Sequence, residues 1–473
     1  MSKVVSSILG PLLEKLTSSA VEEIQLVGGV KDDQEKLKNK LEMIEKVLAN
    51  AEQKQTKEEA MRLWLSRLKD FCYDVEDVLD EFEARALWRQ ARLTEYLTLK
   101  SKNYEFNNLD LIQLWISNGL IQSSGNNKEL EEIGRQYLEE LWSRSFFDFV
   151  REDYPFLFFR MHDLIHELAI SVAQTELSNM KVHAQDISPK TRHISFPNPS
   201  RIPRDELHGC LSKLSRIRTI MLEDGSSGEF LLEMCISRFK HLRVLWLDYS
   251  SFDLLPSSIG SLKHLRFLSL WGNWDIKKLP DSICKLHNLQ CLDLGLCMEL
   301  EELPANIKNL ISLPVLCITT KQQHFPERGI GCLTSLRWLL IASCENLEAL
   351  FDDIQLLTSL RKMFIVHCPK NLKLPEDESN EPRSMLSLQS FIFEGLPELV
   401  YFPRWLEGST STLRRIKIVN CPKLRELPEW LQNCSSLRTL EIKDCPRLSS
   451  LPHGIRRIPT LTELWITNCG GIE

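Results

Sequence analysis

Three groupings in this sequence have the residue types that chemistry uses: the adjacent pair His162-Asp163, a dense carboxylate run over 74–81, and fourteen cysteines. None is arranged for catalysis. His162 and His166 lack the H-E-x-x-H order that puts two imidazoles and a base on one helix face. No G-x-x-x-x-G-K-[ST] string supplies the amides, lysine and hydroxyl that hold phosphates and magnesium. No apolar strand ends in paired aspartates, and no nucleophile motif is present. The cysteines recur singly at long intervals rather than as C-x-x-C pairs, which argues against zinc. The expected chemistry is recognition, not catalysis, with no metal and no cofactor.

The carboxylate run reads Asp74-Val75-Glu76-Asp77-Val78-Leu79-Asp80-Glu81. Its charges are interleaved with apolar residues. Such a run is either a solvated helix face or a docking face for arginine, which pairs bidentately with carboxylates. Glu76, Asp77 and Asp80 are the candidates. Arg337, Arg361, Arg414 and Arg438 are candidate partners, each following the first leucine of a repeat. His162-Asp163 precedes an apolar helical stretch, Leu164-Ile165 and Leu168-Ala169, so Asp163 is expected at an N-cap.

The element carrying most of the chain is a repeat. From Leu242 the pattern L-x-x-L-x-L recurs, starting at Leu265, Leu289, Leu313, Leu336, Leu360, Leu388, Leu413, Leu437 and Leu461. Ile217, Ile220 and Leu222 form an earlier copy. The period of 23 to 28 residues matches leucine-rich repeats. Three positions after the last apolar residue stands a small polar side chain suited to bonding the turn backbone: Asn273, Cys297, Cys344, Cys368, Cys421, Cys445 and Cys469. Leu-Pro or Phe-Pro follows in several copies and stops the strand. Stacked strands about 4.8 Å apart give a long concave sheet. Trp246, Trp271, Trp338, Phe364, Trp465, Asp248, Asp293, Arg415, Lys417 and Lys443 alternate with the leucines, and so face outward. Exposed aromatics and arginines there suit a protein interface.

Upstream, Trp64, Leu68, Phe71, Val75, Val78 and Phe82 follow heptad spacing. They indicate a helical bundle, or a coiled coil pairing with another chain. Composition is globular, with 43% hydrophobic and 26% charged residues. The net charge of −7 argues against nucleic acid as a partner. No run approaches the roughly 18 apolar residues of a spanning helix. Unpaired thiols in a large protein fit a reducing compartment, so a cytoplasmic location is expected, with membrane association at most peripheral.

The run Ala51-Glu52 through Trp64-Leu65 to Tyr73–Phe82 closely resembles the coiled-coil domain of plant intracellular immune receptors, the coiled-coil, nucleotide-binding, leucine-rich-repeat disease-resistance proteins. Glu76–Asp80 is similar to that family's EDVID motif, with Leu79 in place of isoleucine. Tyr104-Glu105-Phe106 and Leu111–Ile121 resemble its winged-helix domain. Met161-His162-Asp163 resembles the MHD motif that closes that domain, in which the histidine contacts a bound nucleotide diphosphate. The resemblance implies three domains: a coiled-coil helical bundle at 1–92, a remnant winged-helix domain at 93–180, and an α/β solenoid with parallel strands on its concave face at 181–473. It implies defence, through recognition of a pathogen effector or a guarded host protein by the repeats. The coiled coil would engage a signalling partner, a full-length receptor or a second copy. The family places an ADP/ATP-binding domain between coiled coil and winged helix, and only Ala91–Lys100 joins the two here. An alternative is a nucleotide switch whose binding segment is missing from this sequence. A third reading is an unrelated leucine-rich-repeat scaffold.

Overall fold

A short strand, a capped helix and an aromatic hairpin open the described part of the chain. The computed structural model describes residues 99–470, apart from 101–103, 122–128, 154, 174–175, 180–186, 198–201, 223–228, 369–371, 373 and 375–385. Glu76, Asp77, Asp80, the heptad stripe and Cys72 lie outside the described residues. The chain divides into two units, Met1–Gln174 and Thr175–Glu473.

In the first unit β1 (Glu105–Asn107) leads directly into α1 (Asn108–Asn118). Asn107 caps the helix by accepting from the Asp110 amide at 2.8 Å. Gly119, at φ 79°, closes it in the left-handed conformation open to glycine. Helix α2 (Leu130–Ser143) buries Ile133, Tyr137, Leu138 and Leu141 at helical spacing. A Cβ at Gly134 would meet the side chain of Ile112 on α1, so this glycine sets how closely the helices approach. Strands β2 (Phe147–Asp153) and β3 (Phe156–Met161) complete an antiparallel sheet in the order β1-β3-β2. Phe106, Phe147 and Phe159 form its buried centre, with Phe106 and Phe147 edge to face at 5.0 Å. Helix α3 (Asp163–Ala173) follows.

The second unit is one parallel sheet whose thirteen strands lie in chain order, β4 to β16. It begins with β4 (Leu177–Asn179) and β5 (His193–Phe196), upstream of the first copy legible in the sequence. The solenoid therefore starts before the expected boundary at 181. Helices α4 (Arg204–Ser212) and α5 (Glu229–Arg238) back the early strands, β6 (Thr219–Leu222) and β7 (Val244–Trp246). From β8 (Phe267–Ser269) onward the described residues of the convex side form only short 3-10 turns and no α-helix. Pro256, Pro280, Pro403 and Pro428 stand at the N-cap of such turns, extended and unable to donate, where the chain leaves the sheet.

The remaining strands are β9 (Cys291–Leu294), β10 (Val315–Ile318), β11 (Trp338–Ala342), β12 (Lys362–Val366) and β13 (Ser390–Glu394). After them come β14 (Arg415–Val419), β15 (Thr439–Lys443) and β16 (Glu463–Thr467). Register is unbroken, so Leu268, Leu292, Leu316, Leu339, Met363, Phe391, Ile416 and Leu440 form one inward row of a continuous core. Truncating one such leucine to alanine costs about 2–5 kcal/mol.

Candidate functional site

Two columns of side chains on the outward face of the sheet make the candidate site. One runs Val244, Phe267, Cys291, Val315, Trp338, Lys362, Ser390, Arg415, Thr439 and Glu463. The other runs Trp246, Ser269, Asp293, Cys317, Leu340, Phe364, Ile392, Lys417, Glu441 and Trp465. The face therefore changes character along its length. It is largely apolar from β10 to β13, Lys362 and Ser390 excepted, and charged from β14 to β16.

Trp246, Trp338 and Phe364 are not exposed anchors. Their exposures are 2%, 7% and 0%. A bulky ring on the adjacent strand, two positions out of register, packs diagonally against each of them. Trp246 lies 5.4 Å from Phe267, and Trp338 meets Phe364 edge-on at 4.9 Å. Trp271 is half-buried, its indole lying over Gly295, where any Cβ would strike the ring. Asp248 and Asp293 are also buried. Ser269 Oγ donates to Asp248, and Asp293 Oδ1 accepts from the Gly295 amide at 2.9 Å. Trp465 alone among the expected aromatics is broadly exposed, at 62%.

At the charged end Lys417 faces Glu441 across one strand spacing, 3.6 Å from Nζ to carboxylate. Thr439 Oγ1 donates to Glu463 at 3.1 Å. Arg415 is half-buried and Lys443 exposed. The structure thus puts Arg415 and Lys417 on β14 and Trp465 on β16, with Glu441 of β15 between Lys417 and Trp465 in the same register row.

The arginines expected to align do so, and the column is longer than the four read from sequence. Backbone bonds run Arg218 N to Arg192 O, Arg243 N to Arg218 O and Arg266 N to Arg243 O, at 2.7, 2.8 and 2.8 Å. The ladder continues to Gln290, is taken up at Pro314, which has no N–H, by the Val315 amide donating to Gln290 O, and resumes through Arg337, Arg361, Gln389, Arg414 and Arg438. Arg218, Arg243 and Arg266 were legible at the same offset, one residue after Ile217, Leu242 and Leu265.

In the first unit Met161 is core at 4% exposure, while His162 and Asp163 are exposed. The capping residue is His162, not Asp163. Helix α3 begins at Asp163, and His162 Nδ1 accepts from the Leu164 amide at 3.3 Å. Asp163 sits in the first turn, where a carboxylate favours the helix dipole. Among the described residues no group of three or more His, Cys, Asp or Glu is placed to hold a metal. No helix among them is long and apolar enough to cross a membrane.

The turn slots behave as their residue types require. Asn273 Nδ2 donates to Leu247 O and Leu270 O, both at 2.7 Å. Cys297, Cys344, Cys368, Cys421 and Cys469 direct Sγ at a carbonyl one repeat back, at 3.3–4.0 Å. Burial pushes the Cys284 thiol up to about 11 and the Cys434 thiol up to about 12.

Comparison with known proteins fits this geometry in chain order. Residues 8–114 match the Rx N-terminal domain, 101–169 the disease resistance protein winged helix domain, and 217–468 the leucine-rich repeat region. The chain belongs to the plant disease resistance proteins. Putative disease resistance protein RGA1 of Solanum bulbocastanum is 34% identical over 184 residues, 38% of this chain and 16% of that protein. Disease resistance protein RPP13 of Arabidopsis thaliana is 29% identical over 222 residues, 45% of this chain and 25% of that protein. Among solved structures, the leucine-rich repeat domain of the type III effector XopL is similar, with 22% identity and a TM-score of 0.32. That match covers 49% of this chain and 71% of the other. The chain thus spans a minor part of its disease-resistance relatives, and within this family its own described features are the winged helix ending at α3 and the long parallel sheet.

Proposed function

We propose that the chain is a non-enzymatic cytoplasmic recognition protein of plant disease resistance. Its sheet face binds a pathogen effector or a guarded host protein. The observation that carries this reading is the division of that face into a rigid apolar stretch and a charged end bearing Arg415, Lys417 and the exposed Trp465. Arginine and tryptophan are the side chains that most often dominate protein interfaces. The acidic run at Glu76, Asp77 and Asp80 serves as the counter-charge for the arginine column, and the coiled-coil segment engages a full-length receptor, a second copy or another signalling partner.

The reading includes no bound ADP or ATP, because the sequence lacks the phosphate-holding string. Calorimetry with ADP and magnesium is expected to show no heat of binding, and micromolar affinity would overturn this part.

The principal test is co-expression in leaf tissue with candidate effectors, read by proximity labelling. Partners specific to the wild-type chain should be lost from an R415E/K417E/W465A variant that accumulates normally. Retention of every partner would place recognition elsewhere.

A further inference from the structure

Cys421, Cys445 and Cys469 occupy the same turn slot on three successive repeats. Strands β15 and β16 pair with Lys443 opposite Thr467, so two residues further on Cys445 stands beside Cys469. The residues just before them are tied together as well. The Asp444 amide donates to Thr467 O at 2.9 Å, and Asn468 Nδ2 donates to Asp444 Oδ1 at 2.8 Å. In-register neighbours on adjacent strands lie about 5 Å apart, inside the range a disulfide spans. Cys445 Sγ donates to Lys443 O at 3.4 Å and Cys469 Sγ to Thr467 O at 3.5 Å, so the two thiols make the same local bond from matching positions of adjacent strands. Cys421 and Cys445 are fully buried, whereas Cys469 is partly open to solvent. One thiol in the row is thus reachable from outside, and its inner neighbour stands at the matching position of the next strand.

We propose that Cys445 and Cys469 are a peroxide-responsive dithiol that closes to a disulfide joining β15 to β16. Cys469 reacts first because it is the accessible one. Its thiolate sulfur attacks a peroxide oxygen, the O–O bond breaks, and the departing oxygen takes up a proton as water. Cys469 is left as the sulfenic acid. The Cys445 sulfur then attacks that sulfur, the S–O bond breaks, and hydroxide leaves and is protonated to a second water. Overall two thiols and one peroxide give one disulfide and two waters, with two electrons passing from sulfur to oxygen.

The molecule contains its own control. Cys344 and Cys368 follow β11 and β12 in the same register, two repeats before this row, and both are buried. Reactivity should therefore separate by access and not by register.

The full chain, reduced and freed of reductant, is treated with hydrogen peroxide at neutral pH, alkylated, digested and analysed by mass spectrometry. The Cys445–Cys469 cross-link is expected to accumulate about tenfold or more faster than thiols are lost from Cys344 and Cys368. In C469S no cross-link forms in the row and Cys445 is recovered as a free thiol after unfolding. In C445S, Cys469 stops at a sulfenic acid that dimedone captures. The proposal is overturned if wild-type Cys445 stays free while Cys469 oxidises further. It is equally overturned if Cys469 instead links two chains, or if Cys344–Cys368 closes at the same rate.

Discussion

The Lys362 ammonium lies 4.6 Å above the centre of the Trp338 ring, one strand away in the same register position. This pairing sits inside the stretch from β10 to β13. It joins a buried indole, itself edge-on to Phe364, to a cation enclosed within that largely apolar stretch.

A cation held over tryptophan at a partly desolvated site contributes about 1 kcal/mol. Lys362→Met should lower solenoid stability by about that amount. Trp338→Ala should cost about 3–5 kcal/mol, because it leaves a cavity beside Phe364. Urea unfolding followed by tryptophan fluorescence measures both. Equal effects from the two substitutions would show that the ring's packing is not the larger contribution.

The Trp271 indole needs the missing Cβ of Gly295. Gly295→Ala should displace the ring, shift its emission to longer wavelength and destabilise the repeat by about 1–3 kcal/mol, the usual range for overpacking. Pairing the change with Trp271→Ala should remove most of that cost. An additive double variant would contradict the contact.

Burial raises the Cys284 and Cys434 pKa values to about 11 and about 12, above the roughly 8.5 of a free thiol. The unfolded chain therefore gives up these protons first. The stability contributed by the neutral thiols is complete below about pH 8.5 and declines as pH rises through about 11 and about 12. Denaturant midpoints should fall over that window, and Cys284→Ala with Cys434→Ala should flatten the fall. A wild-type curve no steeper than the variant's would count against the burial of these thiols.

Charge reversal at Glu76 and Asp77 should weaken association between a fragment of residues 1–92 and one of residues 175–473. Each exposed pair contributes at most about 1 kcal/mol, so the effect should depend on several arginines and diminish at high salt. Pull-down unchanged by reversal and by salt would refute the counter-charge role.

The inward leucines, the turn slots and the Leu-Pro exits were readable because each depends on backbone geometry that repeats every copy. Asn273, for example, bonds two carbonyls that any copy presents. The early strands were not readable. Leu177–Asn179 has one apolar residue, and His193–Phe196 lies 26 residues before Thr219 with a helix between them. The outward residues misled for a different reason. Alternation shows which side of the sheet Trp246 and Phe364 occupy, but exposure depends on the ring one strand away, and that neighbour is more than 20 residues distant in sequence. His162 displaced Asp163 as the cap because β3 runs directly into α3, leaving the imidazole at the junction.

The split along the outward face has an evolutionary reading. Every repeat shares one backbone frame, so side chains there can be exchanged without redrawing the fold. The freedom is uneven. Between β10 and β13 an exchange must preserve volume against close neighbours, as Leu340, Phe364 and Ile392 are enclosed. From β14 to β16, the exposed Lys443 and Trp465 carry no such packing constraint. Variants that alter partner choice should accumulate at that end of the solenoid, while the apolar stretch stays nearly fixed.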